Sequence, residues 1–156
     1  MALSPNFPTN PVEVIHPSLR WYPGDLVDET EIGKLIPPLV QKIRLHVHEW
    51  RERGYEGVSE TSKSLLQHWF TNRHQIQTIN GLQDFEYYFA QREAVETAIW
   101  LFERQMATSA VDLIQYSSLD ELSPAMFEEN WPRYVFKLAT GAGKTKVLSL
   151  LVAWSY

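Results

Sequence analysis

The chain of 156 residues is 44% apolar and 21% charged, the composition of an ordinary globular domain, and it has no cysteine, which excludes a disulfide framework and a cysteine-type zinc site. Its net charge of -5 predicts a surface that does not attract phosphate backbones by itself. The opening MALSPNFPTN lacks the basic and apolar segments of a signal peptide, and no run approaches the roughly 18 apolar residues that span a bilayer. These features predict a cytoplasmic protein without a membrane segment.

The first part of the chain is rich in proline. Seven of the nine prolines lie within the first 38 residues, and each fixes a backbone dihedral and removes a hydrogen-bond donor. We therefore expect residues 1–24 to form an extended proline-rich arm, pinned to the body by Trp21 and Tyr22. Residues 25–83 are expected to form a helical N-terminal region, which opens with a short helical turn ending at Ile36.

A longer helix is predicted from Pro38 to about Arg53, and Gly54 ends it. One face of this helix is apolar at helical spacing and is expected to be buried. It consists of Leu39, Ile43, Val47 and Trp50. The charged residues off this face are expected at the surface, and they include Lys42, Arg44, Glu49 and Arg51.

A second helix is predicted from Ser59 or Glu60 to Phe70, with Ser59 as its N-cap. Its apolar face is formed by Leu65, Leu66, Trp69 and Phe70. The two helices could form a DNA-binding helix-turn-helix. However, the second helix carries one lysine and no cluster of arginine, asparagine or glutamine for base edges, which favours a hairpin used for packing.

A loop and a third helix are predicted next. The polar stretch 71–83, which contains the turn-forming pair Asn80-Gly81, is predicted to be a loop or turn. The aromatic segment 85–90, FEYYFA, is predicted to be extended. A helix then opens at Gln91, and its core face is expected to consist of Val95, Ala98, Ile99, Phe102 and Met106.

Gln91 has a specific chemical use at the start of this helix. Its side-chain amide offers one donor end and one acceptor end, which together match the N6 and N7 edge of adenine. Phe89 or Tyr88 could add stacking on the adenine ring. A helix with a polar first turn is common, so this hypothesis gains its weight from the motif that follows downstream.

Residues 107–130 form an acidic connector. They carry five acidic residues and no basic one. Ser123 followed by Pro124 is typical of a helix start, which predicts a short helix to about Glu129. No chemistry is assigned to this connector.

The stretch YVFKLATGAGKT, residues 134–145, carries the main functional signal. A strand-like segment leads into a glycine loop and then into an apolar helix, which is the context of a phosphate-binding loop. Gly141 and Gly143 let backbone N–H groups turn inward around an anion, and the helix adds its positive end. Lys144 supplies a charge to the β and γ phosphates, and the Thr145 hydroxyl is placed to ligate magnesium.

The form LATGAGKT departs from the general pattern of such loops, because Leu138 stands where a first glycine is usual. In this form the loop resembles motif I of the superfamily 2 DEAD/DEAH-like helicases and translocases, and most closely the type III restriction enzyme Res-subunit-like group. The segment YFAQREAVETAIW is similar to the adenine-reading motif that precedes motif I in this group, with Gln91 as the matching glutamine. The resemblance covers about residues 85–154, and the 53-residue spacing from Gln91 to Lys144 implies an insertion near 107–130.

The resemblance implies an α-helical N-terminal region followed by the truncated start of an α/β RecA-like P-loop domain over residues 84–156. ATP and Mg2+ are the implied cofactors, and DNA is the implied partner of the full-length motor. Lys144 is the implied catalytic residue, and Thr145 is the implied metal ligand. The implied nucleotide-binding residues are Gln91, Phe89, Thr140, Gly141, Ala142, Gly143, Lys144 and Thr145.

The resemblance also implies an acidic magnesium motif, an arginine finger and a second RecA-like domain. None of these parts follows the loop within these residues. We therefore expect no significant ATPase activity from this polypeptide alone. Residues 135–138 are expected to form a central parallel strand buried on both faces, and 147–153 a buried helix. Their packing partners would be the remaining motor domains, a partner subunit, or a second copy in a dimer through the C-terminal strand and helix.

Two alternatives stay open. The chain could be a non-enzymatic docking module of a larger assembly, in which residues 1–80 contact a partner or the motor core. It could also belong to another P-loop enzyme, such as a small-molecule kinase. The kinase is disfavoured because kinases usually retain the first glycine and place the loop near the start of the chain.

Overall fold

The computed structural model describes residues 10–19, 38–116 and 134–156. The regular structure of these residues is mixed α/β, with four α-helices and one two-stranded sheet. In chain order the elements are α1 (Pro38–Glu52), α2 (Glu60–Phe70), β1 (His74–Thr78), β2 (Gly81–Phe85), α3 (Phe89–Ile99) and α4 (Lys144–Ser155). Shorter turns are the 3-10 segments Pro17–Leu19 and Ala110–Tyr116 and the π-helical segment Trp100–Arg104, which continues α3.

Three predictions fall largely or wholly outside these residues. They are the arm 1–24, the turn ending at Ile36 and the short helix after Ser123. The part of the arm that the structure describes lies against the body, because the N–H of Phe89 donates to the carbonyl of Pro11 at 2.8 Å.

Helix α1 confirms the prediction from the apolar pattern. It runs over Pro38–Glu52. Its predicted stripe is buried at Ile43, Val47 and Trp50. The chain leaves the helix through Gly54 and Tyr55, which both have left-handed backbone, with φ of 72° and 63°.

Helix α2 also confirms its prediction, including the cap. The Ser59 hydroxyl accepts a hydrogen bond from the Ser62 N–H at 3.2 Å, which satisfies one of the free donors at the helix start. Leu66 and Trp69 are buried and pack into the core. Local sequence signals are sufficient here because cap and apolar face agree.

A β-hairpin replaces the loop expected over 71–83, so that prediction is wrong. Strands β1 and β2 pair antiparallel with Thr78 opposite Gly81, and Ile79 and Asn80 connect them. An Asn-Gly pair at such a connection is a strong hairpin signal, and Gly81 takes the positive φ of 101° that glycine favours. The strands are polar and mostly exposed, so they lack the apolar alternation from which a strand is recognised.

Helix α3 begins at Phe89 and becomes π-helical at Trp100. The predicted core face is confirmed at Val95, Ala98 and Ile99. It is wrong at Phe102 and Met106, which are 46% and 70% exposed. A π-helical turn contains more residues than an α-helical one, so it rotates the later side chains off the buried face.

The segment before the glycine loop is extended but unpaired. Tyr134, Phe136 and Leu138 are half-buried, whereas Val135 is 84% exposed. The expectation of a strand buried on both faces is therefore wrong for this structure. A strand forms only where neighbouring backbone offers hydrogen bonds, and within the described ranges the sheet consists of β1 and β2 alone.

Helix α4 packs mainly on α3. Its side chains Val147 and Leu150 are buried, but Leu148 and Val152 are 63% and 58% exposed. The expected all-round burial is therefore wrong, and one face only is covered. The indole of Trp154 donates to the Ser62 hydroxyl at 2.7 Å, which ties the end of α4 to α2. No helix among the described residues has both the length and the apolar character needed to cross a bilayer.

Candidate nucleotide-binding site

The glycine loop 139–143 turns back on itself directly before α4. The N–H of Ala142 donates to the carbonyl of Ala139 at 3.2 Å and closes the turn. Gly141 and Gly143 have φ of 84° and 74°, in the left-handed region that favours glycine. The two glycines therefore occupy the positions where the backbone of the loop requires them.

The start of α4 leaves backbone donors free. The first N–H groups of a helix have no acceptor within the helix. The Lys146 N–H donates to the carbonyl of Gly143 at 2.9 Å, so the amides of Gly143, Lys144 and Thr145 precede the first hydrogen bond at the start of α4. Three consecutive amides at the positive end of a 12-residue helix suit the oxygens of a phosphate group.

The polar side chains around the loop, those of Thr140, Lys144 and Thr145, are exposed. The Lys144 ammonium donates to the carbonyl of Ala139 at 3.1 Å, so it bends back over the loop. It has three donors, and two remain for a ligand. No cluster of three or more His, Cys, Asp or Glu suited to a metal is found in the described parts of the chain. The role of Thr145 as a magnesium ligand stays a prediction.

Gln91 connects the two motifs that lie far apart in the sequence. Its Nε2 donates to the carbonyl of Ala142 at 3.0 Å, across 51 positions in the chain. Its Oε1 accepts from the Tyr88 N–H at 3.1 Å, and the residue is 5% exposed. The glycine loop and the start of α3 are therefore in direct contact.

The position of Gln91 also explains why glycine stands at 143. A Cβ atom on Gly143 would lie 2.1 Å from Gln91 Nε2, closer than any real contact. The amide of Gln91 uses one donor and one acceptor within the protein, and one of each remains. Recognition of adenine by Gln91 would use this remaining pair, and it stays a prediction.

Phe89, the predicted stacking residue, contacts α1. The guanidinium of Arg51 lies 5.4 Å from the centroid of its ring. Tyr88, the other aromatic residue considered for stacking, is the N-cap of α3 and is 43% exposed. The contact with Arg51 favours a packing role for Phe89, and stacking on adenine stays a prediction.

A buried charged cluster, which the sequence did not predict, lies at the α1 side of α3. Glu96 is 0% exposed. Its carboxylate accepts from Arg51 Nε at 3.0 and 2.9 Å, from the Tyr55 hydroxyl at 2.7 Å and from Arg92 Nε at 2.8 Å. Arg51 is 7% exposed, so the prediction that it lies at the surface is wrong. Its guanidinium is buried because it pairs with the buried carboxylate of Glu96.

The electrostatics of this cluster follow from burial and pairing. Burial and the neighbouring Glu96 carboxylate raise the pKa of Tyr55 well above its ordinary value, so Tyr55 acts as a hydrogen-bond donor. Burial opposes the charge of Arg92, but Glu96 outweighs that effect and raises the pKa of Arg92. One signal in the sequence could have indicated the cluster: Glu96 lies between Val95 and Ala98 on a predicted core face, where a charge must be paired.

A groove of about 460 Å³ opens between the end of α2 and the base of the hairpin. Its walls include Trp69, Phe70, Phe85, Tyr87 and Arg92. Phe85 also carries the Lys146 ammonium 5.5 Å from its ring centroid, so the edge of the groove reaches the first turn of α4. Burial raises the pKa of the Tyr87 hydroxyl at this wall.

No protein-family model, no curated protein and no solved structure matches the chain. The functional interpretation therefore depends on the two sequence motifs, the geometry of the loop and the contact made by Gln91.

Proposed function

We propose that this chain is the N-terminal part of an ATP-dependent nucleic-acid helicase or translocase of the restriction or defence type. The observation that supports this most directly is the hydrogen bond from Gln91 to Ala142. It joins a glutamine that suits adenine to a loop that suits phosphates, although the two motifs are distant in the sequence.

The residues present fit ATP and Mg2+. The amides of Gly143, Lys144 and Thr145 would bind phosphate oxygens, and the Lys144 ammonium would exchange the Ala139 carbonyl for the β and γ phosphates. The Thr145 hydroxyl would share the magnesium ion with those phosphates. Magnesium supplies charge neutralisation on the phosphates when it is bound.

The remainder of the proposed motor concerns the whole protein. A RecA-like domain requires a parallel sheet, to which residues 135–138 would contribute a strand once neighbouring strands pair with them. DNA is the proposed partner of that complete motor. With a net charge of -5, this chain contributes little electrostatic affinity for DNA.

Lys144→Ala tests the proposal through nucleotide affinity. A charge-assisted hydrogen bond is worth about 1.5–3 kcal/mol, so the variant should bind Mg-ATP at least roughly tenfold more weakly than the wild-type chain. Isothermal titration calorimetry of the 156-residue chain with Mg-ATP measures this.

Lys146→Ala is the matched control, because Lys146 lies in the same turn of α4 but contacts the Phe85 ring. Its affinity for Mg-ATP should stay within about twofold of the wild-type value. The proposal is wrong if the wild-type chain binds no ATP, or if the two lysine variants weaken binding equally.

A further inference from the structure

The buried cluster around Glu96 connects three parts of the chain. Arg51 comes from α1, Tyr55 from the turn that follows it, and Arg92 from the first turns of α3. Tyr55 is a non-glycine residue with φ of 63°, and Arg92 also donates to its hydroxyl at 3.0 Å. A left-handed tyrosine is strained, and it persists only where surrounding contacts determine its position.

The cluster is built around one fully buried carboxylate. Glu96 is satisfied by two guanidinium groups and one hydroxyl, so removal of its charge leaves buried cations with fewer acceptors. A buried ion pair alone is weak evidence for stability, because apolar residues of similar volume often serve as well. The cluster around Glu96 instead fixes the orientation of its own side chains, because charge-assisted hydrogen bonds restrict the positions of the groups that they join.

The cluster around Glu96 fixes the orientation of the residues around Gln91. Arg92 follows Gln91 directly in the chain and is held by Glu96 at its i+4 position. Phe89 lies under the guanidinium of Arg51. The first turn of α3 is thus held on the α1 side by these contacts and on the loop side by the bond from Gln91 to Ala142.

We propose that Glu96 is a positioning residue: through Arg51, Arg92 and Tyr55 it holds the first turn of α3 so that Gln91 meets the glycine loop. This inference rests on the proposed function for its consequence in ATP binding, but its structural part does not. The helical N-terminal region then acts as a support that sets the geometry of the nucleotide site. A module that docks independently onto a partner would not set the geometry of the nucleotide site.

The structural part is tested without nucleotide, by NMR of the Gln91 side-chain amide. Glu96→Gln keeps the shape of the side chain and removes its charge. We expect the Gln91 side-chain resonances to move toward those of the exposed Gln67, and the Ala142 and Gly143 amides to shift with them. Chemical shifts of the folded state report this loss of contact even if the variant is less stable.

Glu93→Gln is the matched control on the same helix. Glu93 forms an ion pair with Arg44 of α1 at 3.7 Å, so the variant also removes a carboxylate that faces α1. Its Gln91 resonances should stay at their wild-type positions. If Glu96→Gln does not fold, Tyr55→Phe removes one donor from the same carboxylate and should produce a smaller shift in the same direction.

The consequence for binding is tested by a double-mutant cycle. Glu96→Gln should weaken Mg-ATP binding roughly fivefold in the wild-type background and by less than about twofold in the Gln91→Ala background, because the effect passes through Gln91. If Glu96 only stabilised the fold, Glu96→Gln would weaken Mg-ATP binding equally in the wild-type and Gln91→Ala backgrounds.

Each result decides one claim. Unchanged Gln91 resonances in both Glu96→Gln and Tyr55→Phe, or equal losses of affinity in both backgrounds, would overturn the positioning role. Absence of ATP binding by the wild-type chain would overturn the proposed function, while the NMR comparison still decides whether Glu96 positions Gln91.

Discussion

Gly143 is the residue at which backbone conformation and side-chain contact impose the same requirement. Its φ of 74° favours glycine, and the amide of Gln91 occupies the space where a Cβ would lie. Gly141 has the same handedness, with φ of 84°, but a Cβ there would meet nothing within 4 Å. The two glycines therefore separate the cost of backbone strain from the cost of displacing Gln91.

Gly143→Ala should destabilise the chain more than Gly141→Ala. The left-handed backbone costs an alanine about 1–2 kcal/mol at either position. At 143 alone the new Cβ would also displace the end of the Gln91 side chain from its hydrogen bond to Ala142, which adds about 0.5–1.5 kcal/mol. Urea denaturation of both variants measures this difference. Equal losses of unfolding free energy would contradict a stabilising contribution from the Gln91–Ala142 hydrogen bond.

At this scale the sequence predicted some residues and missed others for physical reasons. The loop residues were recognisable because the chemistry of phosphate binding restricts their types and spacing. Arg51 and Glu96 were not, because their burial depends on a pairing between helices that are 45 positions apart. The contact of Phe89 with Arg51 likewise follows from that packing and from no local pattern.

Among the elements, helices α1 and α2 were predictable because cap, length and apolar face are encoded locally. The hairpin was missed because its strands are polar, and the π-helical turn at Trp100–Arg104 was missed because an apolar pattern assumes α-helical spacing. The unpaired segment 134–138 shows the opposite error: an apolar alternation is present, but no neighbouring strand pairs with it among the described residues.

Ser59→Ala tests the prediction of α2 from its cap. Loss of the hydroxyl that accepts from the Ser62 N–H should cost about 1 kcal/mol of unfolding free energy. Thermal unfolding followed by circular dichroism measures this loss. Ser64→Ala, at an exposed position within the same helix, is the control and should leave the stability nearly unchanged or slightly raised. Equal effects of the two substitutions would contradict the role of Ser59 as a cap.

For the whole molecule, the described residues form a helical core that brings the glycine loop to the start of α3. Buried residues of α1, α2, α3 and α4 belong to one cluster. Apolar side chains remain exposed before the loop at Val135 and along α4 at Leu148 and Val152. Pairing of this region with further motor domains, a partner subunit or a second copy stays a prediction.

The proposed ATP site combines the glycine loop with Gln91, and an NMR titration of the ¹⁵N-labelled chain with Mg-ATP tests whether the two respond together. We expect the amides of Gly143, Lys144 and Thr145 to shift together with the side-chain amide of Gln91, and Lys144→Ala to weaken all four responses in parallel. Saturable shifts confined to other parts of the chain, with these four resonances unmoved, would contradict it.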